Sequence, residues 1–498
     1  MGALPLDNSH LPLSAFIDPA GHNRFEVEAL LHQTVALLVE EMTRASARSL
    51  LPDPMGAQQL SQWAQQWAKI PEQSVAADVL LDVVRSQLHH SMNAAHPGYI
   101  GHMDSIPTTM SIIADLLVAA LNNNMLSVEM SPVFSRLEPL VMQQLAAHFG
   151  LDLADRDVMA GGVMVSGGSL ANLQALTVAR NMAFDALATG IVKLSQQPVF
   201  FVSEVAHTSM QKAAMVMGLG AQAAIALRTN TNAQVDIHDL KVKLSQAEQS
   251  GQKPFAIVAT AGTTVTGSID PLAEMADVAQ ANNLWFHVDA AYGGALIFSP
   301  AHRHLLAGID RADSVTFNPQ KWLYITKTCA TLLFKNVDVL QRHFRISAPY
   351  MGDDSQWSNL GELTLQGTRH PDILKLWLSL QHLGQAGYAD IITHNIALTA
   401  QFTEAVRSRP YLQLASEPQT NLVCFRLAPK QIAAEAWDHL NEQLQQYLLA
   451  AKSPVFLSLP TYRHQRWLKA VLLNPYSCTT TIEHLFEQLD AFVQEHVS

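Results

Sequence analysis

The segment LWFHVDAAYGG, residues 284–294, decides the fold because it joins an apolar run to a carboxylate and a row of small residues. Near-continuous apolar runs of this length are typical of strands buried on both faces of a parallel or mixed sheet. In such sheets, ligands bind at the carboxyl ends of the strands. Because Asp289 directly follows the apolar run, the segment predicts a buried strand with a functional carboxylate at its end.

Similar runs on either side extend the predicted sheet and alternate with helical stretches such as residues 169–187 and 271–282. The runs are residues 199–203, 255–260, 314–317 and 330–334. This alternation predicts a three-layer α/β domain. In the segment before this domain, apolar residues recur at helical spacing. After the domain, the apolar runs 421–427 and 467–474 predict strands of a smaller α+β segment. We therefore predict an N-terminal helical segment that packs in a dimer (1–95), a large α/β domain (96–385) and a small C-terminal domain (386–498).

Composition excludes several classes of protein. The 498 residues include 31 Lys and Arg against 43 Asp and Glu, 48% are hydrophobic and 15% are charged. A disordered chain would be more charged, and a nucleic-acid-binding protein would carry a basic surface. We find no apolar stretch long enough to span a membrane and no signal peptide in the first residues. The three distant cysteines, Cys329, Cys424 and Cys478, indicate neither a disulfide framework nor a zinc site, and we expect a cytoplasmic protein.

A second strand end carries a lysine. In SVTFNPQKW, residues 314–322, Lys321 lies between an apolar strand and an aromatic residue, where desolvation favours a neutral amine. A neutral amine is what Schiff-base chemistry requires, and a carboxylate such as Asp289 suits a buried cation such as a pyridinium nitrogen. Taken singly, Asp289 could cap a helix and Lys321 could lie on the surface. Together they are typical of a pyridoxal-phosphate site.

A phosphate site is predicted in VMVSGGSLANL, residues 163–173. The glycines Gly167 and Gly168 allow close backbone approach, Ser169 supplies a hydroxyl, and the N-terminus of the following helix favours an anion. The spacing matches neither the dinucleotide fingerprint nor a Walker loop. SGGS alone is common in loops, but SGGS followed by Asp289 and Lys321 at later strand ends is a specific combination.

These motifs, in the order SGGSLANL, SEVAHTS, ATAGTT, HVDAAYGG and SVTFNPQKW, resemble those of the group II pyridoxal-phosphate decarboxylases. The family includes glutamate, cysteine-sulfinate, aspartate, aromatic-amino-acid, histidine and diaminobutyrate decarboxylases. The resemblance covers about residues 90–480. It implies fold type I, as in aspartate aminotransferase, with a mostly parallel central sheet and a small C-terminal α+β domain. It also implies pyridoxal 5'-phosphate as the cofactor and an L-amino acid as the substrate, converted to an amine and carbon dioxide.

The resemblance also implies a role for each matching residue. Lys321 forms the Schiff base with the cofactor, Asp289 pairs with the pyridinium nitrogen, and His207 stacks on the ring. The other residues implied to bind the cofactor are Gly167, Gly168, Ser169, Thr264, Ala291, Asn318 and Thr368.

The family's mobile loop is represented by SAPYMGDD, residues 347–354, in which Tyr350 resembles the tyrosine that protonates the carbanion in the neighbouring subunit. The resemblance therefore implies an obligate homodimer. The chain departs from the family at two positions. Thr368 replaces a glycine whose backbone reaches the partner's phosphate, and Gln320 replaces the histidine that helps to bind phosphate in most relatives. Glutamine can donate through its amide but carries no charge.

The substrate is left open by the sequence. We expect its side chain to contact His102, Met103, Asp104 and Ser105, and a small acidic substrate such as glutamate, aspartate or cysteine sulfinate is favoured. Asp104 could instead meet the ammonium group of diaminobutyrate, and aromatic or aliphatic substrates stay open. The functions of an aldehyde synthase, a transaminase and a non-catalytic scaffold stay open as well. We predict no metal site, because the histidine pairs lack the spacing and acidic partners of known sites.

Overall fold

The chain falls into two compact units in the computed structural model, which describes residues 11–52, 55–104, 106–151, 159–348 and 358–497. One unit comprises residues 1–99 and 447–456, and the other comprises residues 100–446 and 457–498. The three-domain division from the sequence stays a prediction. None of the described helices is both long and apolar enough to cross a membrane.

The first unit is helical, as its apolar spacing predicts. Its helices are α1 (Arg24–Thr43), α2 (Ala57–Trp67) and α3 (Ala77–His89). The buried side chain of Asn93 donates to the carbonyl of Ala45 at 2.7 Å and thereby fixes the chain after α3 against the chain after α1. Tyr99 and Phe456 stack with their ring centres 5.5 Å apart.

The second unit is built on a seven-stranded sheet. Its strands are β1 (Gly161–Val165), β2 (Pro198–Ser203), β3 (Ala224–Leu227), β4 (Lys253–Thr260), β5 (Trp285–Asp289), β6 (Ser314–Phe317) and β7 (Ala330–Phe334). Their order is β1-β7-β6-β5-β4-β2-β3, and β7 runs antiparallel to the other six of these strands, which are parallel to one another. The predicted mostly parallel sheet is confirmed. The strands are apolar because helices cover both faces, and β1, β2, β5, β6 and β7 are buried throughout.

Helices connect the strands and cover the sheet. They are α4 (Thr109–Leu121), α5 (Pro132–His148), α6 (Gly168–Phe184), α7 (Ala186–Thr189), α8 (Ser209–Val216), α9 (Ile237–Gln249), α10 (Leu272–Ala281) and α11 (Asp338–His343). The first turn of α6 follows β1 after two residues, so the glycine-containing segment lies at the carboxyl end of β1. This connection places the N-terminus of α6 at the edge of the sheet where ligands bind.

The long helix α12 (Ile373–Arg407) leads into a small three-stranded sheet. Gly384, with φ of +64°, interrupts the helix next to the predicted domain boundary at 385/386. The remaining elements are β8 (Leu412–Leu414), β9 (Leu422–Leu427), α13 (Trp437–Ala450), β10 (Thr461–Tyr462), β11 (Gln465–Arg466), β12 (Leu468–Val471) and α14 (Thr479–His496). The order of the small sheet is β12-β9-β8, and all its pairs are antiparallel.

Candidate active site

A cavity of about 270 Å³ lies at the carboxyl ends of β1, β4, β5 and β6. The predicted residues that line it are Gly167, Gly168, Ser169, His207, Thr264, Asp289, Ala291, Asn318 and Lys321. Ser166, Asn172, Thr260, Gly262 and Gln320 complete the lining. The structure therefore brings the five sequence motifs together in one place, because all of them follow strands whose carboxyl ends share one edge of the sheet.

A larger cavity, of about 1040 Å³, lies at the opposite edge, where Lys253 begins β4 and Trp285 begins β5. Parallel sheets bind their ligands at the carboxyl ends of the strands, and the predicted site residues that the structure describes are absent from its lining. We therefore assign the chemistry to the smaller cavity.

Asp289 ends β5 and is 6% exposed. Its Oδ2 accepts a hydrogen bond from Asn172 Nδ2 at 2.9 Å, and its Oδ1 accepts one from the backbone N–H of Ala291 at 3.1 Å. Both bonds fix the orientation of the carboxylate. The site thus contains an oriented carboxylate at the end of a buried strand.

Lys321 follows β6 and lines the cavity, with its Nζ 6.0 Å from the ring centre of Tyr292. Desolvation lowers the pKa of the Lys321 amine, while the charges of Asp289 and Asp104 act in the opposite direction. Tyr292 is buried and stacks on Trp322. A lysine with a lowered pKa in an aromatic environment is suited to act as an amine nucleophile.

His207 follows β2, and its Nδ1 accepts a hydrogen bond from the backbone N–H of Ser209 at 3.2 Å. In the neutral ring, this bond places the proton on Nε2. Desolvation lowers the pKa of His207, the charge of Asp289 raises it, and the charge of Lys321 lowers it further. The imidazole is therefore predominantly neutral at pH 7.

The phosphate end of the cavity is formed by the start of α6. Gly167 has φ of +102°, a conformation that favours glycine. A Cβ on Gly168 would lie only 2.8 Å from Asn318 Nδ2. The N–H groups of the first helical turn are thus open to an anion at close range.

The polar groups of the cavity fit pyridoxal phosphate. Asn318 Oδ1 and Thr260 Oγ1 are buried without a hydrogen-bond partner, although both residues line the cavity. Buried polar atoms normally have partners, so such atoms at a cavity wall indicate a polar ligand. An anion site at the start of α6, the Lys321 amine and the Asp289 carboxylate supply groups that suit the phosphate, the aldehyde and the ring nitrogen.

Gln320 also lines the cavity, and its Oε1 accepts a hydrogen bond from the backbone N–H of Cys329 at 2.6 Å. Its amide acceptor is therefore occupied, and its N–H₂ group is the part that can donate to a ligand. Thr368 lines a separate cavity of about 230 Å³, together with Ser166 and Arg369. Tyr350 and Ser105 lie outside the described residues, so their roles stay predictions.

The predicted substrate residues His102, Met103 and Asp104 do not line the 270 Å³ cavity. Met103 is buried in the hydrophobic core. Asp104 forms an ion pair with Lys327 at 2.8 Å, and its charge affects the pKa of Lys321. Their proposed contact with substrate stays a prediction.

Lys469 is a site residue that the sequence did not reveal. It lies on β12, is 5% exposed, and its Nζ donates to the backbone carbonyl of Thr264 at 3.3 Å. Desolvation lowers its pKa, and the nearby charge of Lys321 lowers it further, against the effects of Cys424 and Asp104. A buried ammonium beside the cavity is a candidate binding group for an anion.

One cluster outside the cavity has side chains that could ligate a metal. The ligand atoms of Asp115, His370 and Asp372 lie within 4.8 Å of one another. Lys375 Nζ, however, lies 3.3 Å from Asp115 Oδ1 and 2.8 Å from Asp372 Oδ1. This ammonium already forms ion pairs with both carboxylates. The expectation that the chain holds no metal stays a prediction.

Comparison with known proteins shows the family to which this chain belongs. Residues 58–428 match the family described as the pyridoxal-dependent decarboxylase conserved domain. The cysteine sulfinic acid decarboxylase of Rattus norvegicus is 29% identical over 94% of this chain and 97% of its own length. An L-aspartate decarboxylase of Metarhizium robertsii is 34% identical over 71% of this chain and 70% of its own length. The crystal structure of mouse CSAD in apo form superposes with a TM-score of 0.85 at 28% identity, covering 94% of this chain and 99% of that one.

Proposed function

Because this chain belongs to the family of pyridoxal-dependent decarboxylases and has its fold type I architecture, we propose that it removes the α-carboxyl group of a small acidic L-amino acid. Decarboxylation of an amino acid with pyridoxal phosphate is the activity that its relatives share. The preference for an acidic substrate is the part of the proposal that goes beyond this shared activity. L-Aspartate, L-cysteine sulfinate and L-glutamate are the candidates.

The observation that carries the substrate proposal is the buried ammonium of Lys469 beside the cavity. A buried cation close to a second lysine is favourable only when an anion compensates it. The side-chain carboxylate or sulfinate of the substrate would supply that anion. The ion pair between Asp104 and Lys327 supports the same conclusion, because it compensates the acidic group that would repel such a substrate.

We propose the remaining roles, which the lining of the cavity supports. Lys321 would hold the cofactor covalently through its amine, whose lowered pKa supplies the unprotonated form at lower pH than an ordinary lysine. Asp289 would hold the protonated ring nitrogen, and the neutral ring of His207 would stack on the cofactor. Gly167, Gly168, Ser169 and Asn318 would hold the phosphate. When bound, pyridoxal phosphate supplies the electron sink for the bond that breaks as carbon dioxide leaves.

Protonation at the α-carbon is assigned to Tyr350 of a second subunit, so that the enzyme would be an obligate homodimer. Apolar side chains on α1 support an interface, since Phe25, Val35 and Val39 are 80%, 47% and 53% exposed. Sedimentation should show a dimer. A fully active monomer would contradict the assignment.

We also propose a cytoplasmic location. All three cysteines are free, which suits a reducing compartment. Fractionation of cells that produce the protein at native level would test this, and recovery in a secreted or membrane fraction would contradict it.

A panel of L-amino acids, scored for carbon dioxide, amine, aldehyde and hydrogen peroxide, tests the proposed reaction. We expect carbon dioxide and amine in equal amounts from an acidic amino acid, with low turnover of diaminobutyrate and aromatic substrates. Dominant release of aldehyde and peroxide would indicate an aldehyde synthase. A Lys321→Ala variant should lose turnover and the visible absorbance of the bound cofactor, and full turnover in that variant would overturn the proposal.

A further inference from the structure

A chain of hydrogen bonds runs through the interior of the sheet behind Asp289. Trp285 Nε1 lies 2.8 Å from Ser314 Oγ, which lies 2.8 Å from His287 Nδ1. His287 Nε2 lies 3.1 Å from Asn172 Oδ1, and Asn172 Nδ2 lies 2.9 Å from Asp289 Oδ2. All five residues are buried, with Trp285 and Asp289 each 6% exposed. We call this set the Trp285–Asp289 relay.

The Asp289 end of the relay fixes the direction of the bonds within it. Asp289 Oδ2 accepts from Asn172 Nδ2, so the amide oxygen of Asn172 faces His287 Nε2. A neutral His287 must then carry its proton on Nε2 and donate it to that oxygen. Its bare Nδ1 accepts the hydroxyl hydrogen of Ser314, and Ser314 Oγ accepts the indole N–H of Trp285.

The opposite direction is excluded by repulsion at the far end. If His287 carried its proton on Nδ1, Asn172 would have to turn its amide N–H₂ toward the bare Nε2. Its amide oxygen would then face Asp289 Oδ2 at about 2.9 Å, with two acceptors in contact. The second N–H of Asn172 is also used, because Nδ2 lies 3.0 Å from Ser209 Oγ.

The charge state of His287 agrees with this direction. Burial lowers the pKa of His287 to about 4, although the charge of Asp289 and a backbone contact with Ser314 act in the opposite direction. The imidazole is therefore neutral at pH 7 and can accept on one nitrogen while it donates on the other.

We infer that His287 is a positioning residue, which acts through Asn172 to keep the Asp289 carboxylate directed toward the cofactor ring. The donor on Oδ2 fixes the orientation of the carboxylate that would bind the ring nitrogen. The hydrogen bond that His287 donates to the amide oxygen of Asn172 also polarises this amide and strengthens its N–H₂ group as a donor. This inference rests on the proposed role of Asp289.

The first experiment measures the tautomer of His287 in the cofactor-free protein. Nitrogen-15 NMR spectra of histidine-labelled wild type and a His287→Gln variant would identify the His287 signals by difference. We expect a neutral ring protonated on Nε2 from pH 5 to 8. A ring protonated on Nδ1, or a charged ring at pH 6, would overturn the inference.

The second experiment measures cofactor affinity by titrating the cofactor-free protein with pyridoxal phosphate. His287→Leu removes both ring nitrogens and should weaken binding about 10- to 100-fold, the range for a lost hydrogen bond in a charged network. His287→Gln keeps a donor and an acceptor on one side chain and should restore most of the affinity. Binding by His287→Leu at wild-type strength would overturn the inference.

A remote pair of variants separates the relay from simple packing. Trp285→Phe keeps an aromatic ring and removes only the indole N–H at the end of the relay far from Asp289, so the Nε2–H tautomer of His287, which Asp289 sets through Asn172, should persist. Phe334→Leu disturbs the same pair of rings, whose centres are 6.3 Å apart, and leaves the relay intact. Loss of the Nε2–H tautomer in Trp285→Phe, or a loss of cofactor affinity in Phe334→Leu as large as in His287→Leu, would contradict the inference. Failure of the proposed function looks different, since wild type would release no carbon dioxide from any amino acid while the tautomer stayed as expected.

Discussion

Lys469 should determine the preference for an acidic substrate, and its charge can be removed with little change of shape. The variant Lys469→Gln keeps a polar N–H donor on the side chain and loses the ammonium charge. Lys469→Arg keeps the charge and is the matched control. We expect the first variant to lose turnover of acidic substrates selectively and the second to retain a large part of it.

The size of the effect follows from the surroundings of Lys469. A hydrogen bond to a charged group contributes about 1.5–3 kcal/mol, and solvent screens this one weakly because Lys469 is 5% exposed. The upper half of that range, about 2–3 kcal/mol, corresponds to a loss of about 30- to 150-fold in kcat/KM.

The assay compares kcat/KM for L-aspartate with kcat/KM for L-alanine, which lacks the side-chain carboxylate. The ratio of the two should fall by about the same 30- to 150-fold in Lys469→Gln. Because the pKa of Lys469 is lowered, wild type should also lose this preference as the pH rises, and at lower pH than an ordinary lysine would deprotonate. Lys469→Arg should show no such loss. An unchanged ratio in Lys469→Gln would refute the reasoning.

Three further predictions concern the cofactor site and the core. Gly168→Ala places a Cβ 2.8 Å from Asn318 Nδ2 and should weaken pyridoxal-phosphate binding, at an overpacking cost of about 1–3 kcal/mol. The additional substitution Asn318→Ser should relieve part of this overpacking. A Gly168→Ala variant that binds the cofactor as tightly as wild type in a titration would contradict the prediction. Because the folded-state pKa of His287 is about 4 and its ordinary value is 6.5, the unfolded chain binds more protons between these values, so the free energy of unfolding should rise with pH across this window by up to about 3 kcal/mol. When the free energy of unfolding from urea denaturation is plotted against pH, the rise should be smaller for His287→Gln than for wild type. An identical rise would contradict the lowered pKa of His287. Glu138→Gln leaves the buried Arg369, bonded at 2.6 Å in wild type, without its anion and should cost about 3–5 kcal/mol in urea denaturation; a loss below about 1 kcal/mol would contradict the role of this pair.

The strands of the main sheet could be predicted because burial on both faces demands apolar residues at successive positions. Residues 314–317 and 330–334 were predicted as strands, and β6 and β7 have these bounds. The motifs that follow these strands could be placed in one cavity because the carboxyl ends of parallel strands meet at one edge of the sheet. Sequence patterns thus predicted the features that depend on residues close together in the chain.

Asn172 and Lys469 could not be predicted because their partners are distant in sequence. Asn172 lies in a predicted helix, but Asp289 is 117 residues away. Lys469 interrupts the apolar run of β12, and the carbonyl that it contacts is 205 residues away. Periodicity predicts that such a residue is buried, but it does not indicate which polar group compensates the burial.

Gln320 has a consequence for how the cofactor site responds to acidity. Its amide oxygen accepts the backbone N–H of Cys329, so the side chain faces the cavity as a donor that does not titrate. A histidine at this position would add a positive charge below about pH 6.5 and would lose it above that value. The contribution of residue 320 to phosphate binding in this chain is therefore independent of pH in the physiological range, and it lacks the charge that a protonated histidine would add.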